Sequence, residues 1–259
     1  MAISKGNASK EAQEFKRYIG VCPVFVKAVN PNKTEHEKLF NTTLEEAPVY
    51  VQDKEDAEGN SYKNVRISVV MQPDVEKIGF EMPLVTMPLF VTNQKQFGAK
   101  SGKYQVVDKY GRFTWATESE IQSKTTPTYT DKKTGETKKF DIDMTSARIS
   151  YVGEEELTDF LINYLNIPSV MRYNQNEKKW YMVEHPEDSE CRLDHIADYF
   201  KGDFSELRDA IALQPTNKVK ILFGIRTDNE GRQYQAAFTQ MFLKNSVSDY
   251  SKLDAYVQE

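Results

Sequence analysis

Residues 104–117 read YQVVDKYGRFTWAT. Residues 104–107 and 112–116 are rich in β-branched and aromatic side chains, and Lys109-Tyr110-Gly111 lies between them as a turn. That is the pattern of a β-hairpin. Phe113 and Trp115 share one face at period two. Two readings of that face are open: the rings point into a core, or they stand on the surface as a platform. Either way the stretch is antiparallel, and the segments around it are short strands and turns of the same kind.

Upstream, 65–71 (VRISVVM) alternates Val65, Ile67 and Val69 with Arg66 and Ser68. This period of two predicts a half-buried strand with Arg66 on its wet face. Val21, Val24, Phe25, Val26 and Val29, around Pro23, predict a first strand. Residues 34–41 (TEHEKLFN) suit a short helix or turn, 49–52 a strand, and 53–60 (DKEDAEGN) a polar loop. In 82–97 (MPLVTMPLFVTNQKQF) Pro83 and Pro88 cannot donate to a ladder, so an edge or bent strand is expected.

Downstream, 123–139 is polar and basic, with Lys132-Lys133-Thr134-Gly135 as the tip of a second hairpin. Leu157, Phe160, Leu161, Tyr164 and Leu165 then fall on one helical face. Glu154, Glu155 and Glu156 sit in its first turn, where the helix dipole favours anions, and Pro168 ends it. Leu193, Ile196, Ala197 and Phe200 predict a second helix. Ser205 is expected to cap a third, carrying Leu207, Ala210 and Ile211 and ending near Pro215. Residues 218–226 and 233–242 flank Asp228-Asn229-Glu230-Gly231, a strong hairpin signal. The expected class is α+β: an antiparallel β-rich core, an OB-like barrel over about 17–150, short accessory helices and a C-terminal hairpin. Residues 1–16 are expected to form a mobile arm. Residues 17–259 are expected to form one domain, with a helical and hairpin portion over about 151–245.

The chain has 259 residues, with 34 Lys+Arg against 39 Asp+Glu, a net charge of -5. With 14 Tyr and 14 Phe it is too aromatic for a disordered polyelectrolyte. It has no apolar run long enough for a membrane helix. The first residues, MAISKGNASKEAQEFKRY, lack the apolar core of a secretory signal. Two cysteines, Cys22 and Cys191, are too few for a disulfide framework, and a reduced cytosol is the simpler expectation. The net charge hides a split. Between 93 and 139 ten bases face five acids, a net of +5; between 153 and 209 six bases face fourteen acids, a net of -8. The basic stretch also carries Phe97, Tyr104, Tyr110, Phe113, Trp115 and Tyr129. Cations neutralise phosphates while aromatic faces accept bases, and a single-strand binder needs both.

Signs of catalysis are missing. No nucleophile elbow, zinc-protease helix, Walker loop or dinucleotide fingerprint is present. His185, Cys191 and His195, with Cys22, are the right residue types for zinc, but their spacing matches no common knuckle. Surface histidines and a buried cysteine are the expectation, with no metal, no cofactor and no enzymatic activity.

Several segments in order resemble single-stranded-DNA-binding proteins of tailed bacteriophages. The hairpin 104–117 is similar to the strand, glycine turn and aromatic-x-Trp strand of their OB-type barrel. The helix 153–168 (GEEELTDFLINYLNIP) resembles the acidic segment that follows there, with Tyr164 in place of a tryptophan. Residues 222–242 (LFGIRTDNEGRQYQAAFTQMF) resemble the closing hairpin, with Tyr234-Gln235 as the recurring pair. The resemblance implies sequence-tolerant binding of single-stranded DNA in phage replication, recombination or repair, in the host bacterial cytoplasm. It implies phage replication or recombination proteins as further partners. It carries over Tyr104, Tyr110, Arg112, Phe113 and Trp115, and with them Tyr234. The final residues, SVSDYSKLDAYVQE, are only weakly acidic, unlike the acidic tails by which such proteins recruit partners.

The expected groove is lined by Lys95, Lys100, Lys103, Lys109 and Arg112. Tyr104, Tyr110, Phe113 and Trp115 stack bases or support those that do. The 123–139 loop closes over the strand with Lys132, Lys133, Lys138 and Lys139, and Arg66 meets phosphate. The rival expectation is a non-catalytic virion component. An RNA ligand fits the same side chains, because the 2′-hydroxyl contact that separates RNA from DNA leaves no trace in sequence.

Overall fold

The computed structural model describes residues 17–164, 171–174, 179–182, 196–213, 215–231, 233–244 and 256–258. In chain order the elements are β1 (Arg17–Val29), α1 (Lys33–Phe40), β2 (Val51–Glu55), β3 (Ser61–Pro73), α2 (Val75–Ile78), β4 (Val85–Thr92), β5 (Phe97–Gly98), β6 (Lys103–Val107) and β7 (Phe113–Ala116). There follow α3 (Glu118–Ser123), β8 (Thr128–Thr130), β9 (Thr137–Lys139), β10 (Arg148–Ile149), α4 (Glu154–Tyr164), β11 (Met171–Asn174) and β12 (Lys179–Met182). Last come α5 (Ile196–Tyr199), α6 (Ser205–Ala212), β13 (Lys218–Thr227), β14 (Gln233–Lys244) and β15 (Tyr256–Gln258).

The class is α+β. The main sheet is antiparallel in the order β14-β13-β1-β3-β2, with β4 on β3 and β15 on β1. Its two flanks, β4 and β14, approach each other, so the sheet curls into a half-barrel compatible with an OB-like fold. Period two explains the curl's inner face. Val65, Ile67, Val69 and Met71 of β3 are buried, as are Val85, Met87, Leu89 and Val91 of β4. They meet Leu157, Phe160, Leu161 and Tyr164 of α4, so the helical stripe seen in the sequence packs on the inner face. Leu207 and Ile211 of α6 join the same core. Pro88 faces Ser68 across the β4–β3 pair, and β4 pairs with no other strand among the described residues. The missing proline N–H therefore costs no ladder bond.

The structure departs from the local expectations in places: residues 53–55, expected in a polar loop, belong to β2. Phe204, not Ser205, takes the N-cap position of α6; the Ser205 hydroxyl donates to Asp203 Oδ1 at 2.6 Å instead. The helix α3 was not foreseen, although Thr117 and Glu120 form a capping box at its start. The expected arm 1–16 and the helix end beyond Tyr164 lie outside the described residues.

Between β4 and α4 the chain makes a second, smaller sheet in the order β10-β6-β5, with β7 on β6. Val106, Ala116, Ile142, Met144 and Ala147 form its own core, with Ile121 and Ile149 packed against it. The lobe joins the main sheet through one narrow antiparallel run. Thr92 N donates to Val152 O at 3.0 Å, Val152 N to Gln94 O at 3.0 Å, and Gln96 N to Ser150 O at 2.9 Å. Gly153 closes that run at φ +83°, and a Cβ there would lie 1.9 Å from the Phe90 carbonyl oxygen. Both facts demand glycine. The next residue, Glu154, is fully buried and accepts two bonds from Arg148, at 2.9 and 2.5 Å.

Candidate nucleic-acid interface

The small sheet gathers the aromatics of the sequence pattern. Trp115 pairs with Gln105 and Phe113 with Val107, so both rings share the face that carries Lys103. The buried residues of β7 are Thr114 and Ala116 instead. The reading that points Phe113 and Trp115 into the core is therefore overturned. Period two was right, and the inward face is the opposite one. Trp115 is 36% exposed and Phe113 half-buried. The indole lies across Gly98: a Cβ at that position would sit 3.0 Å from Trp115 Cζ3.

Tyr104 and Phe97 occupy the other face of the same sheet, paired in register. Their ring centroids are 4.8 Å apart at 47°, and Phe97 is 48% exposed. Tyr110, in the hairpin turn, is half-buried between cations, with Lys109 Nζ 4.9 Å and Arg112 Cζ 4.8 Å from its ring centroid. These are cation–π distances.

The structure gives Arg112 a different task from the one expected. Its side chain is only 14% exposed and is held by two carboxylates. Nε and Nη2 each reach Asp108 Oδ2 at 2.6 Å, and Nη1 reaches Asp141 Oδ1 at 2.7 Å. Asp108 is fully buried and also accepts from the backbone N–H groups of Tyr110, Arg112 and Asp143. Arg112 thus shapes the β6–β7 turn and ties it to the segment after β9. Its charge is already neutralised, which makes it a poor phosphate ligand.

Among the other expected cations, Lys95, Lys100 and Lys109 are exposed and Lys103 is half-buried. Lys95 lies on the run that joins lobe and main sheet, in a bridge to Tyr151. The hairpin β8–β9 forms as expected, with exposed Lys132 and Lys133 in its tip and exposed Lys139 on β9. Lys138 is paired with Asp131 at 2.5 Å. That bond raises the lysine pKa and lowers that of the aspartate. Arg66 is exposed as expected, but on β3 of the main sheet rather than on the lobe.

Sequence reasoning missed Phe140. Its ring meets Tyr129 at 4.7 Å and 43°, both are exposed, and the pair stands at the base of the lysine-bearing hairpin. The signal was present: aromatics flank the hairpin at 129 and 140, and Pro127 O accepts from Phe140 N at 3.0 Å. Among the side chains described, the exposed aromatics are Phe90, Phe97, Trp115, Tyr129 and Phe140. All five lie within the stretch 90–140.

Cys22 is buried with its Sγ 3.2 Å from the Pro23 carbonyl. His185, Cys191 and His195 lie outside the described residues, as does the Tyr234 side chain. Among the described residues no cluster of His, Cys, Asp or Glu is placed to hold a metal, and no helix is long and apolar enough to cross a membrane. No known protein family, no curated protein and no solved structure matches the chain.

Proposed function

We propose that this protein binds single-stranded DNA with little sequence preference, as a non-catalytic participant in phage genome replication, recombination or repair in the host cytoplasm. The observation that carries the reading is that, among the described side chains, every exposed aromatic ring lies within residues 90–140, where lysines stand among them. Exposing a large ring to water forgoes burial worth roughly 2 kcal/mol. A base stacked on such a ring returns roughly 1–3 kcal/mol, while adjacent cations displace counterions from phosphate. Duplex DNA keeps its base faces covered, so these rings favour single strands. The likeness of 104–117, 153–168 and 222–242 to phage single-strand binders supports the same reading.

Trp115 supplies the test. An oligo-dT and a duplex of equal length are titrated at two salt concentrations, following tryptophan fluorescence and the anisotropy of the labelled DNA. The expected result is tighter binding of the single strand, weakening steeply with salt. Equal affinity for the two, or no binding at low salt, overturns the proposal.

A further inference from the structure

The outer face of the main sheet carries a second surface of the same chemistry. Register fixes which side chains share it. In β3 the residues opposite the buried Val65, Ile67 and Val69 are Tyr62, Asn64 and Arg66. In β4 they are Phe90 and Thr92, with Arg66 opposite Phe90 and Asn64 opposite Thr92. In β2, Gln52 lies opposite Asn64 and Lys54 opposite Tyr62. Acidic and basic side chains are sorted by strand alternation here. Asp53 and Glu55 of β2 fall on the other face, where Asp53 pairs with Lys63 at 2.5 Å. The outer face of these three strands thus bears Lys54 and Arg66, two amides, two aromatics and no carboxylate. Phe90 is 49% exposed beside the exposed Arg66.

A half-exposed phenylalanine on an open face, next to an arginine and flanked by amides, suits an unpaired base and its phosphate. The absence of acids on that face fits a polyanion. The chain itself supplies the continuity: from Phe90 it leaves β4 at Thr92, bends at Asn93–Gln94, and passes exposed Lys95 to reach Phe97 on the small lobe. Seven residues at strand rise would cover roughly 23 Å, so with the bend the two rings lie closer than that.

We propose that single-stranded DNA held on the small lobe continues onto this β2–β3–β4 face, with Phe90 and Tyr62 stacking bases and Arg66 and Lys54 meeting phosphates. The inference rests on the single-strand reading above and adds a second contact surface to it. Its mark is length dependence, since an oligonucleotide gains from the second surface only when long enough to reach it.

The experiment measures anisotropy of labelled oligo-dT in a graded length series, for the wild type and for Phe90→Ala with Arg66→Gln. Wild-type affinity should climb with length and then level off. The double variant should level off at a shorter length, about tenfold or more weaker on the longest oligonucleotides, with a shallower salt dependence. Phe90→Trp, which keeps a ring, should restore the longer plateau and exclude a folding defect. A double variant that matches the wild type in plateau length and affinity overturns the second surface while the single-strand reading stands. A wild type that binds no oligonucleotide of any length overturns both.

Discussion

Arg112 and Asp108 form a two-pronged ion pair inside the hairpin turn they flank, with Arg112 Nε and Nη2 each 2.6 Å from one buried carboxylate oxygen. The pair sets the shape of the turn, and Asp141 extends it to the next hairpin. Arg112→Ala leaves a buried carboxylate without its cation, which costs about 3–5 kcal/mol. Urea denaturation should show that loss. A variant as stable as the wild type would mean that the pair does not hold the turn. Lys109→Glu, at an exposed site, should leave stability nearly unchanged and weaken DNA binding.

Gly98 leaves room for the Trp115 ring. Gly98→Val should push the indole off β5, because even a Cβ there lies 2.7 Å from Ser101 Oγ and 3.0 Å from Trp115 Cζ3. The tryptophan emission should shift, and oligo-dT affinity should fall about tenfold, as it should for Trp115→Ala. Unchanged emission would mean that the ring has not moved.

Gly153→Ala should be far more damaging to stability. The new Cβ would collide with the Phe90 carbonyl, in a backbone conformation that alanine disfavours. A loss of at least about 2 kcal/mol is expected in thermal or urea unfolding. Gly59 also has a positive φ, +83°, but its Cβ direction is open. Gly59→Ala should cost only about 1 kcal/mol.

Acid should loosen the small lobe. Bonds from the Thr145 hydroxyl and then the Ser146 hydroxyl hold the Asp143 carboxyl below its ordinary 3.8, and bonds from Thr117 hold Glu120 below 4.5. Lowered folded values mean that these carboxylates stabilise the fold above their ordinary range. The contribution is lost as pH falls through the lowered values. Stability measured from pH 6 down to about pH 3 should therefore fall more steeply in the wild type than in Glu120→Gln with Asp143→Asn. Parallel curves would remove these two groups from the acid response.

Much of the fold was readable because its signals are local. The stripe Leu157, Phe160, Leu161, Tyr164 named the helix and its buried face. The turn 228–231 named the last hairpin, and alternation around Arg66 named an outer face. What stayed hidden depends on distant partners. Arg112 looks like a free cation until Asp141, 29 residues later, is seen beside it. Trp115 alternates whichever way its strand faces, and the choice is made by Ile142, Met144 and Ala147 covering the other side. The place of Phe90 is likewise set at a distance: its ring faces outward because β4 pairs with β3 in the register that puts it opposite Arg66.

The antiparallel run at 92–96 and 150–152 has an evolutionary reading. The lobe leaves and re-enters the main sheet through neighbouring backbones, with Gln96 N 2.9 Å from Ser150 O. So long as Arg148 stays to pair with the buried Glu154, what lies between those two points can lengthen or shrink without changing the register of β3 and β4, since inserted segments are best tolerated where their ends already touch. The half-barrel acts as a socket and the aromatic lobe as a cassette, so ligand preference can diverge among descendants of this chain while the barrel stays the same.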